Sequence, residues 1–419
     1  MRILHTSDWH LGKRLLHFSR LEEQRSVLNE IIVLAEQEAV DLVLISGDLF
    51  DSFVPPVEAQ ELLYSALKEL SRGGSRPVIA IAGNHDSADS IQAPDALARL
   101  HGIILAGYPH LQLPMIKTDG NVQISFPFPG LLELEFPAPG MPPVRIIATP
   151  YANERRFHQI FQNLEILTAE GEGLVERLTA FWKAAADSFF KPETVNILMA
   201  HLFCTAGREV GEDTAALQEP EDEKPILYPG GLPPVPVSAF PEYTQYVALG
   251  HLHRKQLVAE RPFPVCYPGS PLAYSRSEAE QRKYVLIIDI EAGETPVISE
   301  SELHSGRSIL RPRVHGVDEA LSWLRNHKES YVEMTLELED YLSSKERRSL
   351  YESHPRLLTL IPEVSSVPQP DERGAADLDR PIEELFADYF AIAHEGNRPP
   401  DEIMGLFHEV LASREEGTE

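Results

Sequence analysis

Residues 41 to 51 read DLVLISGDLFD, and this stretch decides the fold. Leu42–Ser46 is a short, nearly unbroken apolar run, the signature of a strand buried on both faces of a sheet. It runs directly into Gly47-Asp48-Leu49-Phe50-Asp51, which sets two carboxylates just past the strand's carboxyl end. The same form recurs four times. Ile3–His5 leads into Asp8-Trp9-His10, and Val78–Ala82 into Gly83-Asn84-His85-Asp86. Asn196–Ala200 ends at His201, and Tyr246–Leu249 leads into Gly250-His251-Leu252-His253. Val144–Ala148 and Tyr284–Asp289 read as further strands. Helical patterns over Leu21–Glu38 and Val57–Leu70 have the length of crossover helices. The fold class is therefore α/β, with helices on the faces of the sheet.

In open α/β sheets, ligands sit just beyond the carboxyl ends of the strands. Side chains scattered between residues 8 and 253 can therefore meet at one site. Asp8, His10, Asp48, Asn84, His201, His251 and His253 offer carboxylate oxygen, amide oxygen and imidazole nitrogen, with no thiolate. Such mixed donors suit Mn²⁺, Fe or Zn²⁺. Seven donors are too many for one four-coordinate ion and natural for two ions sharing a carboxylate. Taken singly each motif is weak, but five in this order, each behind an apolar run, form a single constellation. The glycines opening three of them (Gly47, Gly83, Gly250) are expected to permit the sharp turn off each strand.

Composition bounds the partners. With 37 Lys plus Arg against 65 Asp plus Glu, the formal net charge is −28, the opposite of a chain that grips nucleic acid through a broad basic face. That leaves open an enzyme whose cations come from metals or from a partner. No apolar run approaches the ~20 residues of a spanning helix. The N-terminus lacks the form of a signal peptide, and the two cysteines, Cys204 and Cys266, cannot build a disulfide framework. A cytoplasmic, reducing location is expected.

The 419 residues suggest two to three domains. Residues 1–300 read as the α/β domain, interrupted by a Pro- and Gly-rich stretch over 110–142 that is a β-rich excursion or a long loop. An acidic loop follows at 209–223. Residues 305–365 read as a compact β-α-β-α-β domain, 366–378 as a linker, and 379–415 as a hairpin of two amphipathic helices. Residues 371–419 carry 14 acidic and 4 basic side chains. Leu385, Phe386, Tyr389 and Phe390 share one helix face, and Ile403, Met404, Phe407, Val410 and Leu411 another. Such a hairpin either docks onto a partner or folds back on its own domain.

The set Asp8/His10, Gly47-Asp48 with Asp51, Gly83-Asn84-His85-Asp86, His201 and Gly250-His251-x-His253 resembles the calcineurin-like metallophosphoesterase superfamily. His10-Leu11-Gly12-Lys13, Ser19-Arg20-Leu21-Glu22-Glu23-Gln24, His253-Arg254 and Tyr267-Pro268-Gly269-Ser270-Pro271-Leu272 are similar to its DNA nucleases that work with an SMC-like ATPase. Lys255 stands where that resemblance leads one to expect proline. The resemblance implies two mixed sheets flanked by helices, with a small α+β capping domain and a partner-binding C-terminal helical hairpin. It implies two divalent metal ions, of the Mn²⁺ type favoured by such nucleases. One would be held by Asp8, His10 and His253. The second would be held by Asn84, His201 and His251, with Asp48 bridging. His85 would serve the departing oxygen. Asp51, or alternatively Asp86, would hydrogen-bond and orient His85. Lys13, Arg14, Arg20, Arg208 and Arg254 are candidate DNA contacts. The implied activity is duplex exonuclease and single-strand or hairpin endonuclease cleavage. The partners would be the ATPase and a second copy of the chain, through helices at Val57–Leu70 and Ala93–Leu100. A phosphoesterase for a small phosphoester or cyclic nucleotide is the alternative. A non-enzymatic scaffold would lack donors, and none is missing.

Overall fold

A computed structural model describes residues 1–151, 153, 156–157, 173–206, 233–279, 281–364, 381–393, 399–400 and 403–408. In chain order its first half holds β1 (Arg2–Thr6), α1 (Leu21–Gln37), β2 (Leu42–Ile45), α2 (Val57–Leu70), β3 (Val78–Ile81) and β4 (Ile103–Ala106). Next come β5 (Ile116–Lys117), β6 (Gln123–Phe128), β7 (Leu131–Glu135), β8 (Val144–Thr149), α3 (Leu174–Phe189) and β9 (Val195–His201). The core is completed by β10 (Tyr246–Gly250), β11 (Gln256–Ala259), β12 (Val265–Tyr267), β13 (Lys283–Asp289) and β14 (Val297–Leu303).

These strands form two sheets. The six-stranded sheet has the order β14-β13-β1-β2-β3-β4, and the eight-stranded sheet the order β11-β12-β10-β9-β8-β7-β6-β5. β1 through β4 run parallel, with β13 antiparallel to β1. β8, β9, β10 and β12 run parallel in the second sheet. The stretch at 110–142 thus takes the β-rich option, adding β5, β6 and β7 as an antiparallel edge.

Alternation along each strand explains the continuous apolar runs. Ile3, Leu42, Leu44, Ile79 and Ile81 point between the sheets and meet Ile146, Ile197, Met199 and Ala248. Their neighbours Leu4, Val43, Ile45 and Val78 point outward against α1 and α2, where Val27, Ile31, Leu63 and Leu67 cover them. On the far side, Leu198, Ala200 and Val247 are covered by Leu178, Phe181, Trp182 and Phe189 of α3. The central strands of both sheets are buried on both faces, which gives α/β/β/α layering.

Beyond the core lie β15 (Ile309–Leu310), β16 (Arg313–His315), α4 (Gly316–Asn326), β17 (Tyr331–Leu338), α5 (Ser344–Ser353) and β18 (Leu357–Val364). β17 pairs with β15, β16 and β18 in one sheet. A capping box starts α5, Ser343 and Glu346 satisfying each other's backbone N–H groups. The chain divides into two compact units: Met1–Leu336 with Ser343–Ile361, and Glu337–Leu342 with Pro362–Glu419. The second unit contains α6 (Ile382–Ala393) and helical residues 403–408, with Phe386 stacked on Phe407 at 4.0 Å between ring centroids. The expected acidic loop at 209–223 and linker at 366–378 lie outside the described residues. The helix expected at Ala93–Leu100 is shorter, Asp95–Ala98 followed by a 3-10 turn at Arg99–His101. Among the described residues, no helix is long and apolar enough to cross a membrane.

Candidate metal centre

Five parallel strands deliver the seven donors. Asp8 and His10 follow β1, Asp48 follows β2, Asn84 follows β3, His201 ends β9, and His251 and His253 follow β10. The first three strands belong to one sheet and the last two to the other, so the site straddles the open end of the sandwich. Its backbone is bent hard to achieve this. Asp8, His10, Asp48 and His251 all adopt positive φ, at 54°, 43°, 49° and 115°, a region that ordinary residues avoid. Cross-bonds hold them there: Asp8 N–H donates to the Gly47 carbonyl (2.9 Å), His10 N–H to the Asp48 carbonyl (3.0 Å) and His85 N–H to Asp48 Oδ1 (2.9 Å).

The glycines do not all act as expected. Gly47 does sit at φ 98°. Gly83 and Gly250 have no positive φ; what they supply is room. A Cβ on Gly83 would lie 2.0 Å from Asp48 Oδ1, and one on Gly250 would lie 1.9 Å from the Ser46 carbonyl oxygen.

The donors cluster around two carboxylates, Asp8 and Asp48. Asp8, His10 and His253 bring ligand atoms within 4.8 Å of one another, as do Asp8, Asp48 and His201. His10 and His253 turn their Nε2 atoms toward each other at 2.9 Å. Asn84 Oδ1 lies 2.8 Å from His201 Nε2 and 3.1 Å from His251 Nδ1. Asp48 Oδ2 is 3.5 Å from both His10 Nε2 and His201 Nε2, at the seam of the two groups. The ring of His201 is oriented by Nδ1–H donation to the Ser46 carbonyl at 2.8 Å, which leaves Nε2 for the site.

Electrostatics favour cations here. Burial raises Asp48, but His201 and His10 outweigh it and hold its carboxyl well below the usual range. Burial opposes charge on His201, yet Asp48 and Asp8 prevail and push its pKa up to about 9. Carboxylates that stabilise positive charge on the neighbouring His201 would stabilise a metal cation in its place. His10 is kept neutral, at about 3, by burial, so one of its ring nitrogens keeps a lone pair open to a ligand. Its Nδ1 is buried and faces the Asp51 carboxylate at 3.5 Å. Nitrogen and oxygen donors without thiolate fit two divalent cations of the Mn, Fe or Zn kind.

His85 stands half-buried at the mouth, its ring 4.8 Å from that of His10. The expected pairing with Asp51 takes a different form. His85 Nδ1 lies 3.0 Å from the Asp51 backbone carbonyl, whereas the Asp51 carboxylate faces Lys13 Nζ at 2.8 Å and His10 Nδ1 at 3.5 Å. The hydrogen bond that sets the His85 ring therefore goes to the Asp51 backbone, while the Asp51 carboxylate stays within 4.8 Å of a ring nitrogen of His85. Asp86 does not orient it either: its carboxylate accepts N–H bonds from Leu49, Phe50 and Gly83 at 3.0, 2.9 and 2.8 Å. Burial, reinforced by Asp48, pushes Asp86 up to about 6.

Among the candidate DNA contacts, Arg20 requires correction. It is 1% exposed, forms a bidentate pair with Glu23 at 2.6 and 3.1 Å, and lies over the Tyr331 ring, so it cannot reach a phosphate. Lys13 is paired with Asp51, while Arg14 and Arg254 are exposed. Arg208 lies outside the described residues. Sequence reading missed Arg156, whose guanidinium donates to the Gly83 and Asp86 carbonyls at 3.0 and 2.7 Å and clamps the Asn84 loop. Nothing in its local pattern marks it.

A family model for calcineurin-like phosphoesterases matches residues 1–254. The chain belongs to the calcineurin-like phosphoesterase family. The SbcD component of the SbcCD nuclease from Bacillus subtilis is 32% identical over 423 residues, covering 99% of each chain. The SbcD component from Rhodobacter capsulatus is 34% identical over 304 residues, 71% of this chain and 68% of its own. That of Escherichia coli is 29% identical over 294 residues, 70% of this chain and 66% of its own. By this kinship the chain is a metal-dependent phosphodiester hydrolase of the nuclease-subunit group, one that works with two divalent metals.

Proposed function

We propose that this phosphoesterase is the DNA-cutting subunit of a nuclease–ATPase complex. It uses two Mn²⁺ ions, degrades duplex DNA in the 3′ to 5′ direction, and cuts single strands and hairpins. It acts in the cytoplasm on DNA ends during repair, recombination and replication. The observation that carries the two-metal reading is the single Asp48 oxygen set 3.5 Å from ring nitrogens of both donor groups. Asp8, His10 and His253 would hold one cation, Asn84, His201 and His251 the other, with Asp48 shared between them. Two such cations clamp a phosphodiester and activate water near neutral pH.

The chain's own residues do the rest. Donation of Nδ1–H to the Asp51 carbonyl presents His85 Nε2 to the site, where the ring in its imidazolium form would stabilise the departing sugar oxygen or give it the Nε2 proton, leaving a neutral imidazole. Arg156 and Asp86 keep the His85 loop rigid. Residues 305–365 cap the site, and residues 379–415 bind an SMC-like ATPase of the SbcC type. Ile382, Tyr389 and Leu406 support this last reading, since they are exposed apolar side chains on acidic helices. Val54, Val57, Leu97 and Leu100 are exposed at and near α2 and the short helix Asp95–Ala98, which supports a homodimer through that face. The partner would supply the cationic surface that a chain of charge −28 lacks.

The test is degradation of an end-labelled linear duplex by the purified chain in Mn²⁺, with a chelator control. Label should be lost only with metal, and His85→Ala should slow the loss by about 10²–10⁴-fold with metal still bound. No cleavage, even with the ATPase partner and ATP, would overturn the reading in favour of a small phosphoester substrate.

A further inference from the structure

His253 is held from behind by a closed buried network that its sequence neighbourhood does not announce. Its Nδ1 lies 3.1 Å from Glu278 Oε1, and Glu278 is 1% exposed. The same oxygen accepts the backbone N–H groups of Tyr274 and Ser275 and the Ser275 hydroxyl, each at 3.1 Å. Glu278 Oε2 accepts Ser270 Oγ at 3.1 Å and pairs with the buried Lys283 Nζ. Lys283 donates further to the His253 carbonyl and to Ser270 Oγ, both at 3.0 Å. The network thus fixes His253 twice, at its ring and at its backbone. A ring whose Nδ1–H donates to a carboxylate leaves Nε2 as the lone pair, and that atom faces His10 Nε2.

We infer that Glu278, braced by Lys283, is a positioning residue that sets the tautomer, orientation and basicity of His253 toward its cation. The inference rests on the two-metal reading. Stability alone does not account for the arrangement, because a buried ion pair is weak as a stabilising device: desolvation offsets most of its attraction. What it provides is a rigid anionic acceptor behind a ligand histidine, and loss of such an acceptor typically weakens metal binding about 10–100-fold. His201 gets its orientation from a backbone carbonyl instead, so the two donor groups should respond differently to removal of the Glu278 charge.

The competing role is structural, since Glu278 also closes a capping box with Ser275. Glutamine serves a capping box as well. The test therefore uses Glu278→Gln together with Lys283→Met in the full chain, which keeps the cap and leaves no lone buried charge. Glu278→Gln and Glu278→Asp alone run beside it. Mn²⁺ binding is followed by calorimetry and by the spin-resonance signal of free Mn²⁺, with thermal melts in chelator. One of the two binding steps should weaken about 10–100-fold while the other is unchanged. Two unaltered steps, or equal loss of both alongside a lowered melting temperature, would overturn the positioning role. Fewer than two Mn²⁺ on the unaltered chain would instead refute the two-metal reading beneath it.

Discussion

Asp48 shows how much one residue must satisfy at once. Its Oδ2 faces His10 and His201, its Oδ1 accepts the His85 N–H, and its backbone is held at φ 49°. Room for that carboxylate comes from Gly83, where a Cβ would also fall 2.4 Å from the Asp48 backbone nitrogen. Gly83→Ala should therefore cost about 1–3 kcal/mol by overpacking, and displace Asp48 enough to weaken Mn²⁺ binding. Calorimetry and thermal melts decide it: unaltered Mn²⁺ affinity would show that the crowding is absorbed elsewhere. The meeting of the seven side chains was legible in the sequence because each follows an apolar strand that specifies its own burial. The space-making role of Gly83 and Gly250 was not, because the atoms they admit come from Asp48 and Ser46, on another strand. The Asp51–His85 contact was legible by residue but not by atom, since nothing local distinguishes a backbone carbonyl from the carboxylate beside it.

Helix α1 carries a prediction at the scale of an element. Arg20 precedes it, Glu23 lies in its first turn, and Glu23 also accepts the Arg307 N–H at 2.9 Å and the Tyr331 hydroxyl at 2.8 Å. Burial raises the Glu23 carboxyl, but Arg20 and these donors outweigh it, so its pKa falls below the ordinary 4.5. A depressed carboxyl contributes stability above its unfolded pKa, and that contribution fades as pH drops through the folded value. Glu23→Gln should accordingly cost on the order of 3–5 kcal/mol at pH 7, much of it from the Arg20 charge left unpaired. Part of that cost should vanish toward pH 3. Denaturant melts at both pH values test this; a pH-independent loss would contradict it. The elements themselves were readable where a single rule governs them: α2 has the bounds its periodicity suggests, and β1, β2 and β3 lie within a residue or so of theirs. Helix α3 was not among the expected elements, though Leu178, Phe181, Trp182 and Ala185 recur at helical spacing. It carries none of the seven donors and packs on the outer face of the second sheet, so no motif marks it.

Across the whole molecule, the proposed division of labour would reconcile the acidic charge with the nuclease assignment: the core would cut, and the C-terminal helices would recruit a cationic partner. Tyr389 is 70% exposed and Leu406 is 58% exposed, so charges placed there should leave the chain's own packing intact. Tyr389→Glu with Leu406→Glu should retain Mn²⁺ binding and single-strand cleavage by the isolated chain but abolish co-purification with the ATPase. Retained co-purification would move the partner site elsewhere. The central claim, two cations about one carboxylate, is tested most directly by anomalous diffraction at the manganese edge from crystals grown with Mn²⁺. Two peaks about 3.5–4 Å apart should flank Asp48, one beside Asp8, His10 and His253 and the other beside Asn84, His201 and His251. A single peak, or two peaks that do not share Asp48, would contradict it.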